Sequence, residues 1–158
     1  YGGEISRICI QVSVMDKAGQ LHVRTQEKMD FCYRHSRLEE TGEIVTSAVF
    51  QLTDAPQEQV KQHMKELQSR RIASQPLDYP SAGSAFKRPA GGYAAALIDQ
   101  AGLKGFRVGN AAISEKHAGF AINLGGATAQ DVKELLRQTS DKVYENSGIR
   151  LEPEIRIW

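Results

Sequence analysis

Phe106-Arg107-Val108, Ala111-Ala112-Ile113-Ser114 and Gly119-Phe120-Ala121-Ile122-Asn123, followed closely by Thr128-Ala129-Gln130-Asp131, decide how the C-terminal half folds. The first three are short apolar segments separated by turn residues, which reads as strands. Thr128 with Asp131 three residues on has the form of a capping box, with Asp in the place of the usual Glu. Behind it Val132, Leu135, Leu136, Thr139 and Val143 recur at helical spacing, and Gly148 stops the run. Upstream, Ala94, Leu97, Ile98 and Ala101 repeat at the same spacing and Gly102 closes that helix. Ile149, Leu151, Ile155 and Ile157 predict a last strand. Helix, strands, helix, strand in that order predicts an α+β layer with two helices on one face of a mainly antiparallel sheet.

The N-terminal half is also mixed α+β. Ile8, Ile10, Val12 and Val14 alternate with polar or small residues, the period of a half-buried strand. Asp16-Lys17-Ala18-Gly19 is a turn, and Leu21 to Arg24 can return as a partner strand. Ile44 to Leu52 reads as a longer strand. Pro56 opens a helix whose apolar stripe is only Val60, Met64 and Leu67, so most of its surface is expected to be solvated. Gln75-Pro76-Leu77-Asp78-Tyr79-Pro80 carries two prolines and marks the domain boundary, giving units 1–74 and 75–158.

The 158 residues suffice for one domain or two small ones. With 41% hydrophobic and 25% charged residues the composition is that of a soluble globular protein. No apolar run reaches the ~20 residues that span a bilayer. The net charge of +1 offers no broad footprint for nucleic acid. Gly102-Leu103-Lys104-Gly105 matches a bare Gly-x-x-Gly, but that RNA-binding loop needs a helix on both sides, and a strand follows here. The histidines at 22, 35, 63 and 117 have no partner at metal-ligand spacing, so no metal is expected. Cys9 and Cys32 are expected to be buried small hydrophobes in a reducing cytoplasm. The chain begins at Tyr1-Gly2-Gly3-Glu4 with no initiator Met, which reads as an engineered piece, a proteolytic product or one part of a longer protein.

Four segments carry candidate chemistry, and each has a plainer reading. In Ser81-Ala82-Gly83-Ser84-Ala85-Phe86-Lys87-Arg88-Pro89, small neighbours leave the Ser84 hydroxyl open to a ligand, with two cations close behind; the plain reading is a Gly-rich turn beside a solvated basic pair. Lys104, Lys116 and His117 could each serve a phosphate or a sugar, or act as charges that keep an edge strand from aggregating. Glu152, Glu154 and Arg156 would share one face of a C-terminal strand, either solvated or aimed into a pocket. Tyr33-Arg34-His35-Ser36 places a guanidinium suited to a planar carboxylate, or to an ordinary ion pair.

Taken together and in order, the segments resemble the UDP-N-acetylenolpyruvoylglucosamine reductases. The matching stretches are Tyr1-Gly2-Gly3-Glu4-Ile5, Phe31-x-Tyr33-Arg34-His35-Ser36, Ser81-Ala82-Gly83-Ser84-x-Phe86-Lys87-x-Pro89, Leu103-Lys104-Gly105, Ser114-Glu115-Lys116-His117-Ala118, Ala127-Thr128-Ala129-x-Asp131-Val132 and Leu151-Glu152-Pro153-Glu154-Ile155-Arg156. Having no inserted tyrosine loop between Ile44 and Pro56 resembles the shorter, type II branch. The resemblance implies Arg34, Ser84 and Glu154 as catalytic residues, and Lys87, Arg88, Lys104 and His117 as substrate contacts. Arg88 replaces an Asn of the family pattern, and His117 a Gln found in some members. Tyr1, Gly2, Arg34 and Val45 would touch the flavin, most of whose site lies upstream of this chain in the family.

By the same resemblance, residues 1–74 end a flavin-binding domain and 75–158 form the UDP-sugar domain. The expected activity is reduction of UDP-N-acetylglucosamine enolpyruvate to UDP-N-acetylmuramate, with FAD and NADPH, in the bacterial cytoplasm. No nucleic acid, membrane or obligate protein partner is implied. A sugar-nucleotide binding module without catalysis is the alternative.

Overall fold

The computed structural model describes residues 3–157. Cα packing divides the chain into two compact units, residues 1–63 and 64–158. That division falls within a helix, upstream of the expected boundary at 74.

The first unit is built on β1 (Cys9–Met15) and β2 (Leu21–Thr25), joined by the predicted turn, then the short helix α1 (Leu38–Thr41) and β3 (Ile44–Phe50). The three strands form an antiparallel sheet in the order β2-β1-β3. Asp16 closes the turn by accepting the Ala18 and Gln20 amides, both at 2.9 Å, and its other oxygen lies 2.7 Å from His22 Nε2. These bonds, the His22 side chain first, hold the Asp16 carboxyl below its usual range.

The strand alternation differs from the sequence reading at one point. Cys9, Val12 and Val14 are buried, together with Met29, while Ile10 is 44% exposed. The cause is a bulge: Cys9 faces Phe50 and Gln11 faces Val49, so Ile10 is the extra residue and the inward set slips by one. Cys32 is exposed rather than buried, because it sits in a surface loop.

The helix α2 (Gln57–Ser74) runs from the first unit into the second. Val60 and Met64 are exposed, so its stripe is as weak as the sequence suggests.

The second unit continues with β4 (Ser81–Ser84), α3 (Ala94–Gln100), β5 (Arg107–Val108), β6 (Ala111–Ile113), β7 (Phe120–Asn123) and α4 (Ala129–Ser147). The strands form an antiparallel sheet in the order β4-β7-β6-β5. Ala111, Ile113 and Ala121 pack with Ala94 and Ile98 of α3 and Leu135, Leu136 and Val143 of α4 in one core. Ala112, Phe120 and Ile122 alternate with them and form a separate small cluster. Full burial of a Leu or Ile stabilises by roughly 1.5–3 kcal/mol, so this stripe accounts for much of the unit's cohesion.

The α4 start is the predicted capping box, with Asp131 N–H donating to Thr128 Oγ1 at 3.1 Å and Thr128 N–H to Asp131 Oδ2 at 2.9 Å. The Thr128 and Asn110 amides help hold the Asp131 carboxyl below its usual range. Gly109, at φ 55, has no room for a Cβ, which would stand 2.6 Å from that carboxylate.

Among the described residues the predicted C-terminal strand does not form, and its only ladder-like contact is an isolated bridge between Pro153 and Phe86. Pro153 has no N–H to donate, so it fits only where the partner asks for none. The flanking bonds satisfy that condition: Lys87 N–H donates to the Glu152 carbonyl and Glu154 N–H to the Ala85 carbonyl.

Glu43 tests the first unit. Its side chain is 6% exposed and pairs with Arg24 of β2, whose guanidinium holds the carboxyl below the usual glutamate range. A carboxylate depressed in the folded state stabilises above its unfolded pKa, and that stability is lost as pH falls through the folded value. Glu43→Gln should therefore be less stable than wild type at pH 6, with the gap closing below about pH 4.5. Urea midpoints of the two proteins between pH 6 and 3, followed by circular dichroism, check this; a gap independent of pH would contradict it.

Candidate active site

In the first unit, Cys32 and His35 exchange two backbone hydrogen bonds, each 3.2 Å long. Only Tyr33 and Arg34 lie between them, and so tight a loop forces Arg34 into the left-handed region at φ 54. For a residue with a Cβ this costs on the order of 1–2 kcal/mol, and such strain clusters at functional sites. The loop borders a cleft of about 610 Å³ lined by Gly3, Glu4, Phe31, Tyr33, Arg34 and His35, among others. The Arg34 guanidinium stands 5.3 Å from the Tyr33 ring centre. His35 reaches Glu39 and Glu40 at 3.7 and 3.3 Å, which steadies the base of the loop. Val45, on β3, is exposed. Tyr1 and Gly2, the other expected flavin contacts, lie outside the described residues.

In the second unit Glu154 is bonded through its backbone to Ala85, the fully buried residue that follows Ser84. Ala85 N–H donates to the Gly119 carbonyl at 2.8 Å, and its own carbonyl accepts from Glu154 N–H at 2.9 Å. Ser84, the last residue of β4, pairs with Phe120 and is exposed. Glu154 is half-buried, whereas Glu152 is exposed and forms an ion pair with Lys87. The two glutamates thus differ in environment, although the sequence pattern put them on one face.

His117 joins the same neighbourhood. Its ring packs edge-on to Phe120, with centroids 5.0 Å apart, and its Nδ1 accepts from Gly119 N–H at 3.1 Å. That bond leaves Nε2 as the ring atom that would carry a proton or meet a ligand. The buried Ser114 hydroxyl accepts the Lys116 and His117 amides and so fixes the loop. Arg88 lies over Tyr93, 4.1 Å from the ring centre, and donates to the Gly92 carbonyl. Lys104 forms a 2.8 Å ion pair with Asp99 and takes no part in the bonds that join Ser84, Ala85 and Glu154.

Sequence reasoning missed two features. One is the Lys87–Glu152 pair, for which only opposite charge was visible. The other is a cavity of about 380 Å³ against the Ala112 and Ile122 face of the sheet, bordered by Tyr79, Arg107, Glu115 and Lys116. The amine of Lys116 reaches back to the Ile72 carbonyl at 2.7 Å. Among the described residues no three His, Cys, Asp or Glu side chains gather as a metal site, and no helix is long and apolar enough to cross a membrane.

Packing around Ala85 is testable. Ala85→Val adds two methyl groups where there is no space and should cost ~1–3 kcal/mol of unfolding free energy. Ala82→Val, on the exposed part of the same strand, should stay within about 0.5 kcal/mol. Equal urea midpoints for the two variants would show that Ala85 is not a tight joint.

Residues 75–158 match the family model described as UDP-N-acetylenolpyruvoylglucosamine reductase, C-terminal domain. The chain is 46% identical over 157 residues to the UDP-N-acetylenolpyruvoylglucosamine reductase of Agathobacter rectalis, covering 99% of this chain and 50% of the relative. Identity to the enzyme of that name from Streptococcus pneumoniae strain CGSP14 is also 46%, over 99% of this chain and 52% of the relative. The crystal structure of the UDP-N-acetylenolpyruvylglucosamine reductase from Thermus caldophilus superposes with a TM-score of 0.82 at 41% identity, covering 98% of this chain and 55% of that one. The chain thus spans about half the length of the curated relatives it matches. On sequence and on fold alike, it belongs to the UDP-N-acetylenolpyruvoylglucosamine reductase family.

Proposed function

We propose that this chain supplies substrate-recognising and proton-donating groups to a reductase that converts UDP-N-acetylglucosamine enolpyruvate to UDP-N-acetylmuramate, a peptidoglycan precursor, in the bacterial cytoplasm. The observation that carries the reading is the bond from Glu154 N–H to the Ala85 carbonyl, which holds the half-buried Glu154 against the residue that follows the exposed Ser84. Residues 75–158 are the UDP-sugar domain in this reading, and 1–74 belong with the flavin.

FAD, recharged by NADPH, supplies a hydride to C3 of the enolpyruvyl group when bound. The described residues fit such a group in part. The cleft beside Arg34 falls in the size range of cofactor pockets, and Val45 offers exposed apolar surface in the same unit.

Three roles follow for this chain's own groups. Arg34 binds the enolpyruvyl carboxylate and the negative charge that develops next to it, and its fixed loop makes that stabilisation preorganised. Glu154, in its protonated form, donates a hydrogen bond to the same charge, since an ionised carboxylate would repel it. Ser84 gives its hydroxyl proton to C2 and regains one from solvent, to which it is open. An alcohol is a weak acid, so this transfer needs the strongly basic centre that hydride addition creates. Lys87, Arg88, Lys104 and His117 are the proposed contacts to the phosphates and sugar.

The test is a chimaera in which this chain replaces the matching half of the S. pneumoniae relative. Ser84→Ala should leave flavin reduction by NADPH intact and slow reoxidation by substrate ~10²–10⁴-fold, measured anaerobically by stopped flow. Wild-type reoxidation would remove Ser84 from the chemistry.

Glu154→Gln should slow the same step, whereas Glu152→Gln, which only loosens the Lys87 pair, should act on substrate affinity. Steady-state kcat and KM for both variants separate these outcomes; a kcat defect confined to Glu152→Gln would reverse the assignment.

A further inference from the structure

We propose that Ser114 and Gly119 are positioning residues for substrate binding: together they lock the His117 ring as an Nε2–H donor for an acceptor oxygen of the ligand. The inference rests on the reading above, in which His117 contacts the substrate, and it supplies what makes that contact selective.

Ser114 follows β6 and is only 1% exposed. A buried hydroxyl needs partners, and this one accepts the Lys116 and His117 amides at 3.2 and 3.3 Å. The main chain closes the same loop. Ser114 N–H donates to the Phe120 carbonyl at 2.9 Å, and Phe120 N–H to the His117 carbonyl at 3.0 Å. Two further bonds tie the loop to its surroundings. The Lys116 amine donates to the Ile72 carbonyl of α2, and the Gly119 carbonyl accepts from Ala85, the residue that follows Ser84.

Gly119 supplies the second constraint. It is not one of the glycines in the left-handed region, so its backbone does not call for glycine. What it lacks is room. A Cβ there would stand 3.1 Å from Cε1 and Nδ1 of His117 and 3.3 Å from the Ala95 Cβ. With no side chain between them, the ring lies against Gly119 and its Nδ1 accepts the Gly119 N–H at 3.1 Å. Phe120 packs edge-on against the same ring. A neutral imidazole whose Nδ1 accepts carries its proton on Nε2. The ring is half-buried, so it is not sealed in the core. Held in this form it recognises a hydroxyl, carbonyl or phosphate oxygen and discriminates against a ligand group that can only donate.

The experiment has two parts. Nitrogen NMR of this chain at about pH 8, where imidazole is neutral, should show His117 protonated at Nε2 alone. In Ser114→Ala and in Gly119→Ala the two ring nitrogens should average toward each other as the second tautomer is admitted. Circular dichroism establishes that each variant is folded, and the wild-type tautomer is read without any variant. A wild-type ring protonated at Nδ1, or a ring that stays locked in both variants, would overturn the proposal.

The second part uses the chimaera described above. His117→Ala should raise KM ~3–10-fold, about the contribution of one hydrogen bond, with kcat little changed. Ser114→Ala should reproduce most of that rise. Added to His117→Ala it should raise KM no further, the mark of a residue that acts through another. Ile113→Val trims a buried neighbour without touching the hydroxyl and should leave KM unchanged. A further rise in the double variant, or an equal rise in Ile113→Val, would reduce Ser114 to scaffolding and overturn the proposal. His117→Ala at the wild-type KM would remove the substrate contact and this inference with it. A His117→Ala defect that Ser114→Ala fails to reproduce would sink the inference alone.

Discussion

Everything proposed for the second unit hangs on one buried residue with two backbone bonds. Ala85 donates to Gly119 on one side and accepts from Glu154 on the other. The first bond holds the end of β4 to the residue that leads into β7. The second ties in the chain's last segment, which has no strand of its own to secure it. A net backbone hydrogen bond contributes only about 1 kcal/mol, so the bonds alone do not explain the arrangement. Burial does: with Ala85 fully enclosed and Phe86 and Leu151 packed in the same core, an unmade bond would leave a polar group dry, which costs more than the bond itself gains.

The other cluster is held differently. Arg34 owes its position to a loop of two residues between Cys32 and His35, stabilised at its base by His35 and two glutamates. Its left-handed backbone is a strain that the loop closure must offset. One cluster is thus fixed by burial and the other by a short covalent span.

Legibility in the sequence followed the strength of local signals. The α4 stripe and its capping box were readable because helix periodicity and capping are set within a few residues, and Leu135, Leu136, Thr139 and Val143 are indeed buried. The slip at Ile10 was not readable, since a bulge depends on how β1 meets β3 far along the chain. The C-terminal strand was over-read for a related reason: its alternation is real, but Pro153 limits its pairing to a single bridge. Within the site, residue types and family order pointed to Ser84 and Glu154, yet nothing local said that Glu154 would bond to the residue that follows Ser84. The exposure of Cys32 and the Lys87–Glu152 pair were likewise matters of tertiary placement.

Because the joint at Ala85 is made by main-chain atoms, it places no demand on the chemistry of the side chains around it. Residues 84, 87, 88, 152 and 154 ride on a frame that any amino acid compatible with an extended backbone can maintain. The side chains at these positions can therefore be exchanged while the frame stays put. In this unit, evolvability of recognition and stability of the fold are assigned to different atoms of the same short segments.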